Sequence, residues 1–262
     1  MTDEAIIQEL ADCLYQAEKS RQGIFPLTER YPALSVEEAY RVQLLNIRRK
    51  VDEGERIVGK KIGLTSKAMQ NLLGVDQPDY GHLLDSMVVE NGGVVSPSQV
   101  LQPRVEGEIA FILKEDLRGP GVTVTDVLRA TDYVVAAIEI VDSRIKDWKI
   151  KLADTIADNA SSGLYVLGNR PVKVDRLDLA QIGMVLYKNG EVINTGVGAA
   201  ALGHPALCVA WLANQLAQFD TFLRAGEVVL SGALSAAVNA QPGDHFLVRF
   251  DQLGEVSVNF GG

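Results

Sequence analysis

The most informative segment of the chain is Arg104-Val105-Glu106-Gly107-Glu108-Ile109-Ala110-Phe111-Ile112-Leu113. Residues i and i+2 of a strand share a face, so Glu106 and Glu108 are expected to project together. Beyond Glu108 both faces are apolar, which is typical of a buried strand. Two carboxylates at the end of a buried strand repel each other and are costly to desolvate, and a hard divalent cation would remove that cost. The alternative is that this end of the strand reaches solvent and carries ordinary surface charge.

A third carboxylate lies in a second apolar run. Glu139 is the only charged residue of the segment 134–141, and Asp142 follows directly. A glutamate inside such a run is almost never fully buried without a partner. One explanation is a salt bridge to Arg104 or Arg144. The other is metal ligation together with the two glutamates of the first segment, because three oxygen ligands suit Mg²⁺ or Mn²⁺ and leave positions for water or substrate.

The chain around these two segments is rich in predicted strands. After Gly54, short β-branched runs alternate with glycine and proline, which predicts a strand-rich body. The candidate strands are 58–62, 107–113, 133–141, 163–167, 182–187, 191–195, 228–231, 245–250 and 256–260. Asn189-Gly190 predicts a tight hairpin between two of them. Two helices interrupt the strands, one starting near Thr125 and one running from about Pro205 to Phe219.

The first 52 residues indicate helices instead. An apolar stripe at helical spacing is formed by Ile6, Leu10, Leu14 and Ala17. The segment from Ser35 to Glu38 is a capping box that opens a second helix, which ends at about Lys50. We therefore predict an α+β fold, with an N-terminal helical region (residues 1–55) packed on a β-rich catalytic body (residues 56–262) as one cooperative unit.

Composition excludes several classes of protein. The chain of 262 residues has 34 acidic and 25 basic side chains and a net charge of -9, which argues against binding to nucleic acid or to an anionic membrane. No apolar run approaches the ~20 residues that span a bilayer, and the acidic N-terminus lacks the pattern of a signal peptide, so a cytoplasmic protein is expected. Three histidines and no Cys-x-x-Cys exclude a thiolate zinc site. Cys13 and Cys208 lie in apolar stretches and are expected to be small core residues.

A basic cluster, Gly59 to Lys67, is the second place where chemistry could occur. Lys60 and Lys61 are adjacent on a predicted strand and should face opposite ways. Desolvation would lower the pKa of an inward lysine and make it a proton carrier or a carboxylate anchor, whereas the alternative is that both are surface charges. The spacing of a nucleotide-binding phosphate loop is absent. His82 and His204 lie in turn-like sequence, where a catalytic role is not favoured.

Six motifs in order along the chain carry a resemblance to a known family. They are Gly-x-Lys-x-Gly-Leu-Thr-Ser (59–66), Asp-Gln-Pro-Asp-Tyr-Gly (76–81), Gln-Pro-Arg-Val-Glu-Gly-Glu-Ile-Ala (102–110), Glu-Ile-Val-Asp-Ser-Arg (139–144), Asp-Thr-Ile-Ala-Asp-Asn-Ala-Ser (154–161) and Leu-Gly-His-Pro (202–205). Together they resemble the 2-oxopent-4-enoate (2-hydroxypenta-2,4-dienoate) hydratases, in the hydratase/decarboxylase branch of the fumarylacetoacetate hydrolase superfamily.

The resemblance implies a set of roles for residues of this sequence. It implies that Mg²⁺ or Mn²⁺ is bound by Glu106, Glu108 and Glu139. It implies that Lys61 and Asp79 are the catalytic pair. The substrate-binding residues that it implies are Lys61, Asn159, Ser161, Ser231 and Gly232. It also implies a distorted β-barrel-like body, a homo-oligomer, and a possible complex with a paralogous decarboxylase.

The activity that the resemblance implies is that of a hydro-lyase in aromatic meta-cleavage catabolism. Water would add to the small-molecule substrate 2-hydroxypenta-2,4-dienoate and give 4-hydroxy-2-oxopentanoate. One alternative is 2-oxo-3-hexenedioate (4-oxalocrotonate) decarboxylase, which should need a cation near the distal carboxylate; the sequence does not locate that cation. The other alternative is a non-catalytic scaffold subunit for that decarboxylase. A scaffold should have lost ligands, whereas the three glutamates and Lys61 are present.

Overall fold

The computed structural model describes residues 4–67, 70–71 and 74–262, so the first three residues of the predicted helical region lie outside the described part. The α-helices of these ranges, numbered in chain order, are α1 (Glu4–Ser20), α2 (Leu27–Arg30), α3 (Val36–Asp52), α4 (Val124–Ala130), α5 (Leu152–Ala157) and α6 (Pro205–Leu216). Among the described helices, none has both the length and the apolar composition needed to cross a membrane.

Local sequence explains where the long helices begin and which face they bury. The predicted capping box of α3 is confirmed, because Ser35 accepts from the Glu38 N–H and the Glu38 carboxylate accepts from the Ser35 N–H. Helix α6 begins at Pro205 after the cap residue His204, whose ring accepts from the Ala206 N–H. The buried face of α1 is formed by Ile7, Leu10, Ala11, Leu14 and Ala17. The predicted stripe is thus nearly right, with Ile7 in place of the half-buried Ile6.

The strands are β1 (Ile57–Gly63), β2 (Asp79–Leu84), β3 (Val88–Val89), β4 (Val94–Val95), β5 (Arg104–Leu113), β6 (Thr131–Val141), β7 (Ser162–Leu167), β8 (Gly183–Lys188), β9 (Glu191–Val197), β10 (Val228–Leu230), β11 (Val238–Asn239), β12 (His245–Phe250) and β13 (Gly254–Phe260). Every predicted strand is present within about three residues of its predicted bounds. Four strands were not predicted. Of these, β3, β4 and β11 are too short to give a periodic signal, and β2 contains Gly81 and no β-branched residue.

Two mixed sheets form the body and confirm the predicted α+β class. The larger sheet has the order β2-β1-β10-β5-β6-β7-β3, with β11 also pairing with β5, and the smaller has the order β4-β13-β12-β8-β9. Strands β5 and β6 form a long antiparallel ladder in the middle of the larger sheet. Strand β10 separates β5 from β1 and pairs in parallel with β1. The acidic and the basic segment of the sequence therefore meet in one sheet.

The two faces of β5 have different surroundings. Ile109 and Phe111 belong to a large hydrophobic core that includes Val248 of β12 in the other sheet, whereas Ala110 belongs to a smaller core. Gly107 lies where the two sheets touch, because a Cβ there would be 2.8 Å from Val248 Cγ1. Glu106 and Glu108 lie on the opposite face of β5 from Gly107, so their side chains point away from the contact between the two sheets. The strand is thus buried beyond Glu108 on both faces, as predicted.

The N-terminal helices pack directly on the larger sheet. Gln43 of α3 donates its amide to the Tyr80 C=O of β2 and to the Ile156 C=O of α5. The rings of Tyr40 and Tyr80 stack with centroids 4.5 Å apart. These contacts hold the strand whose first residue is Asp79. That residues 1–55 and 56–262 unfold as one unit stays a prediction.

The two cysteines differ in burial. Cys208 is buried in α6, as predicted, whereas Cys13 is only half-buried, and both are free thiols. The prediction that Cys13 is a core residue is wrong, because this side chain borders the buried face of α1 instead of lying in it.

Candidate active site

Three carboxylates meet where β5 and β6 pair. Glu106 and Glu108 lie on one face of β5, and Glu139 of β6 is directly opposite Glu106 in the antiparallel register. One oxygen from each carboxylate lies within 4.8 Å of the others. Glu106 is half-buried and Glu108 is 0% exposed, so the alternative of a solvated surface pair is wrong for Glu108; Glu139 is 1% exposed. The three side chains form a buried group of oxygens of the kind that hard cations prefer.

The electrostatic strain in this group is large. Burial raises the pKa of Glu106 to about 7, and the negative charge of Glu139 adds to the rise. Burial and then Glu139 also raise the pKa of Glu108 well above its ordinary range. Among the described residues, Glu108 Oε1 and both Glu139 oxygens are buried without a hydrogen-bond partner. Such oxygens are costly unless a cation or a proton satisfies them, so the donor set fits a divalent metal.

Lys61 of β1 is the cation beside this group. Its Nζ lies 3.0 Å from Glu139 Oε1, in an ion pair that lacks the angles of a hydrogen bond. The alternative of a salt bridge from Glu139 to Arg104 or Arg144 is therefore wrong, since Glu139 pairs with Lys61 and Arg144 pairs with Asp158. Burial acts to lower the pKa of Lys61, but attraction to Glu139 and the other nearby carboxylates outweighs it and raises that pKa. The predicted lowering is therefore not found at Lys61.

Lys60 is also buried, on the opposite face of β1. Its Nζ lies 3.0 Å from a carboxylate oxygen of Glu227, and burial lowers its pKa. The alternative that both lysines are surface charges is wrong, since β1 lies inside the sheet and is covered on both faces. The two lysines thus have separate carboxylate partners.

Asp79 completes the charged group. It begins β2 and pairs with Gly63 at the end of β1. A Cβ on Gly63 would lie 2.2 Å from Asp79 Oδ1, so only glycine lets the carboxylate approach β1 this closely. Thr155 donates its hydroxyl to Asp79 Oδ2 at 3.3 Å, and Oδ1 is buried without a hydrogen-bond partner in the described structure. Burial raises the pKa of Asp79, although Lys61 opposes the rise.

A cavity of about 220 Å³ lies beside this group, and of the three glutamates Glu106 lines it whereas Glu108 and Glu139 do not. Of the predicted site residues, those that line it are Lys61, Asp79, Glu106 and Ser161. Lining residues that the sequence analysis did not assign to the site include Thr155, Trp148 and Arg104. Strand parity could have indicated Arg104, because it lies two residues before Glu106 and shares its face.

The other predicted substrate-binding residues do not line this cavity. The amide of Asn159 is used by the backbone of β2, since it accepts from the His82 N–H at 2.8 Å and donates to the His82 C=O at 2.9 Å. Ser231 donates its hydroxyl to the Ile109 C=O. Gly232 donates its N–H to Glu108 Oε2 at 2.8 Å, and its φ of +106° requires a glycine. Their contact with substrate stays a prediction.

His82 and His204 do not line the cavity beside the carboxylates. His82 is on β2 and not in a turn, so the prediction from its sequence context is wrong. Its Nδ1 lies 3.0 Å from Gln43 Oε1, and burial lowers its pKa to about 3. His204 caps α6. That neither is catalytic stays a prediction.

Comparison with known proteins identifies relatives along the whole chain. Residues 65–260 match the family model described as fumarylacetoacetate (FAA) hydrolase, C-terminal. A 2-hydroxyhexa-2,4-dienoate hydratase of Comamonas testosteroni is 49% identical over 262 residues, which is 99% of each chain. A 2-hydroxypent-2,4-dienoate hydratase of Pseudomonas putida is 56% identical over 83% of this chain and 98% of its own. The 4-oxalocrotonate decarboxylase of Pseudomonas putida G7, complexed with magnesium and adipate, is 41% identical with a TM-score of 0.95 and covers 99% of this chain and 98% of its own.

Proposed function

The chain belongs to the fumarylacetoacetate hydrolase family and is a hydro-lyase, and from this premise we propose that it adds water to 2-hydroxypenta-2,4-dienoate (2-oxopent-4-enoate). The product is 4-hydroxy-2-oxopentanoate, in aromatic meta-cleavage catabolism. The observation that carries the proposal is the buried group of three glutamates beside Lys61 and Asp79, next to a cavity of about 220 Å³. Two relatives that match most of this chain have names of dienoate hydratases.

The three glutamates would hold a divalent metal, Mg²⁺ or Mn²⁺. The fit rests on the unsatisfied oxygens of Glu108 and Glu139, which a hard cation would partner. A solved relative is complexed with magnesium, and a second structure of the same enzyme with calcium. When bound, such an ion supplies Lewis-acid stabilisation of the negative charge that develops on the C2 oxygen of the dienoate. The chain itself must bind the substrate and move its protons.

Lys61 and Asp79 would move these protons. Ketonisation needs a proton at C5, and addition of water at C4 needs a proton at C3. Both groups line the cavity, and Thr155 holds one oxygen of Asp79 while the other is available. The carboxylates raise the pKa of Lys61, so neutralising them would let burial lower it toward the range useful in general acid–base catalysis.

The other cavity residues would shape and anchor the substrate. Ser161 lines the cavity, where its Oγ lies 3.3 Å from Thr155 Oγ1, and would donate its hydroxyl to the substrate. Asn159, Ser231 and Gly232 would act through the backbone segments that they hold. Hydration is favoured over decarboxylation because the two hydratases are 49% and 56% identical to this chain, compared with 41% for the decarboxylase.

The decisive experiment follows the ultraviolet absorbance of freshly generated 2-hydroxypenta-2,4-dienoate. We expect turnover with Mg²⁺ or Mn²⁺ that EDTA abolishes and added metal restores. Glu106→Gln and Glu139→Gln should each lower kcat by more than the ~100-fold that loss of an outer-shell contact costs. Glu191→Gln, at an exposed position of β9, is the matched control and should retain full activity.

Two results would refute the proposal. The hydratase activity is excluded if the dienoate is stable under every metal condition. The metal site is excluded if Glu106→Gln and Glu139→Gln remain active with unchanged metal dependence.

A further inference from the structure

Three successive residues between α5 and β7 have a left-handed backbone. Asn159, Ala160 and Ser161 have φ angles of +54°, +50° and +52°. Glycine adopts this conformation without cost, and asparagine tolerates it better than alanine or serine does. A strained turn of this kind persists only where the surrounding structure holds it, and such turns cluster at functional sites. Residues 159–161 are called the left-handed turn below.

The left-handed turn forms part of the wall of the cavity beside the glutamates. Ala160 and Ser161 both line that cavity, and both are buried. Ser161 Oγ lies 3.3 Å from Thr155 Oγ1, and the Thr155 hydroxyl donates to Asp79 Oδ2 at 3.3 Å. The conformation of the turn therefore sets where the Ser161 hydroxyl lies relative to the carboxyl group of Asp79.

Arg144 holds the chain at both ends of this turn. Its Nη2 donates to the Asp158 C=O at 2.6 Å, just before the turn, and its Nη1 donates to the Ser162 C=O at 2.8 Å, just after it. Its Nε donates to the Asp158 carboxylate, which also accepts from the Arg144 N–H and from the Ser143 hydroxyl. One guanidinium thus fixes the separation of the two carbonyl groups that bracket the turn.

This contact lies outside the carboxylate group of the active site. Arg144 and Asp158 are both buried, and neither lines the cavity. A guanidinium has several donors in one fixed plane, so it can hold a carboxylate and two carbonyl groups at once. The ammonium group of a lysine cannot reproduce that geometry. The two backbone contacts indicate that Arg144 fixes the shape of the chain in addition to pairing with a charge.

We propose that Arg144 is a positioning residue for the hydration reaction. By holding both ends of the left-handed turn, it keeps the Ser161 hydroxyl beside Thr155 and Asp79, where the proposed proton transfers occur. Arg144 acts through the turn and not on the substrate, because it does not line the cavity. This inference rests on the proposed function, since it gives the turn a part in that reaction.

Arg144→Lys is the first test, because it keeps a positive charge beside Asp158 but not the planar fork. We expect kcat for the dienoate, per folded protein with Mg²⁺, to fall at least about ten-fold while KM changes less than about three-fold, because small displacements of a reacting group are costly. Val127→Ala, in the buried face of α4, lowers stability away from the turn and should retain the kcat of the wild type. An unchanged kcat in a less stable Arg144→Lys protein would show a purely structural role and overturn the proposal.

A second background keeps this test usable if Arg144→Lys is too unstable to purify. Glycine relieves the cost of the left-handed φ, so Ala160→Gly supplies a more tolerant turn. Arg144→Lys is then compared with Ala160→Gly alone, and the same loss of kcat is expected. Equal kcat values in the two proteins would contradict the proposal.

A double-variant cycle shows whether Arg144 acts through Ser161. Ser161→Ala removes the hydroxyl that the turn presents. In that background Arg144→Lys should lower kcat by less than about two-fold, because the two residues act as one unit. Independent effects that multiply would show that the arginine acts elsewhere, and they would overturn the proposal.

Hydrogen exchange gives a readout that does not depend on turnover. The Asp142 N–H donates to the Ser161 C=O, and the Ser161 N–H donates to the Asp158 C=O. In Arg144→Lys, peptides that cover the turn should exchange at least about ten-fold faster than in the wild type, with the β5 peptides unchanged. Hydration with unchanged exchange at the turn would refute only the role of Arg144. A wild-type protein that leaves the dienoate unchanged would refute the proposed function, and faster exchange in the variant would still retain Arg144 as the residue that holds the turn.

Discussion

At the scale of the residue, Lys60 and Lys61 show that the face of the strand on which a side chain lies determines its partner. They are neighbours in β1, and both are buried with a carboxylate partner. Lys61 faces the cavity and the three glutamates, whereas Lys60 pairs with Glu227 on the other face. We therefore infer that Lys61 takes part in catalysis and that Lys60 stabilises the fold.

Replacing each lysine by methionine should separate these roles. Lys61→Met is expected to lower kcat by at least about 100-fold, the loss typical of a missing proton carrier. Lys60→Met leaves Glu227 buried without its cation, so it should lower the free energy of unfolding by about 3–5 kcal/mol while kcat remains near that of the wild type. Thermal melting and dienoate turnover, both measured with Mg²⁺, distinguish the two outcomes.

The double variant Lys60→Met/Glu227→Gln is the control for this interpretation. It removes both charges and should recover much of the stability that Lys60→Met loses. A Lys60→Met protein that melts normally but turns over slowly would show that the two faces have been assigned the wrong way round.

The sequence could predict that the three glutamates form a site, but it could not identify Lys61 as the cation that pairs with Glu139. Strand parity places Glu106 and Glu108 together, and an apolar run around Glu139 demands a partner for it. The partner is Lys61, which comes from β1, a strand separated from β6 by β10 and β5. The alternation of side chains along a strand shows which residues share one face, but it does not show which strands are neighbours in the sheet. For this reason the alternative of a salt bridge from Glu139 to Arg104 or Arg144 named the wrong partner.

At the scale of the element, β5 of the larger sheet packs against the smaller sheet at Gly107 and carries two of the three glutamates. Gly107 lies between them and faces the other sheet, where a Cβ would be 2.8 Å from Val248 Cγ1 and 3.3 Å from Met184 Sδ. The absence of a side chain lets β12 and β8 approach β5. The position of the glutamates therefore depends on the packing of Gly107 against Val248 and Met184, on the opposite face of β5.

Gly107→Ala tests this dependence. Overpacking of this contact should cost about 1–3 kcal/mol of stability and weaken Mg²⁺ binding, because β5 must shift. Gly183→Ala in β8 is the matched control, since a Cβ there meets nothing within 4 Å. Val248→Ala in the Gly107→Ala background removes the clashing methyl group and should restore part of the Mg²⁺ affinity. Equal melting temperatures and metal affinities for the two alanine variants would contradict the prediction.

Element prediction succeeded where side-chain pattern alone determines structure. The long strands β5 and β6 have β-branched and apolar runs, and α3 has its capping box. Strand β2 was missed because its sequence Asp-Tyr-Gly-His-Leu-Leu has low β propensity. It becomes a strand through tertiary contacts, which include the pairing with β1 and the bonds from Asn159 to His82.

At the scale of the whole molecule, the N-terminal helices and the sheet meet at His82. Its ring contacts Gln43 of α3, and the same glutamine holds β2 and α5. A homo-oligomer and a complex with a paralogous decarboxylase stay predictions. We propose that residues 1–55 and 56–262 unfold together, and His82 offers a means to test this.

His82 should contribute a component of the free energy of unfolding that is lost as the pH falls. Burial lowers the pKa of His82 to about 3 in the folded protein, from an ordinary value of 6.5. Between these values the unfolded chain binds a proton that the folded protein does not, so the free energy of unfolding falls as the pH falls. The loss between pH 7 and pH 5 amounts to about 2 kcal/mol. The raised pKa values of Glu106 and Glu108 act in the opposite direction. The His82 component is therefore measured as the difference in pH dependence between the wild type and His82→Gln in denaturant unfolding at the two pH values.

Two probes report whether the unfolding is cooperative. Far-UV circular dichroism follows the helices, of which α1 and α3 are the longest, and fluorescence follows Trp148 and Trp211 in the body. The two transitions should coincide at both pH values. Separate midpoints would show that the helical region and the body are independent units.

The parallel pairing of β1 with β10 has a consequence for the order in which the protein is made. Gly59 lies opposite Val228 and Lys61 opposite Leu230, so the two strands come from distant parts of the chain. A ribosome that adds about 5–20 residues per second releases β1, β5 and β6 well before β10 exists. During that interval the glutamates of the nascent chain lack the neighbour strand that brings Lys61 beside them. Assembly of the site is therefore a late event in synthesis. A chain released before Val228 contains the three glutamates and Lys61, but it lacks the strand that brings Lys61 beside the glutamates in the native sheet.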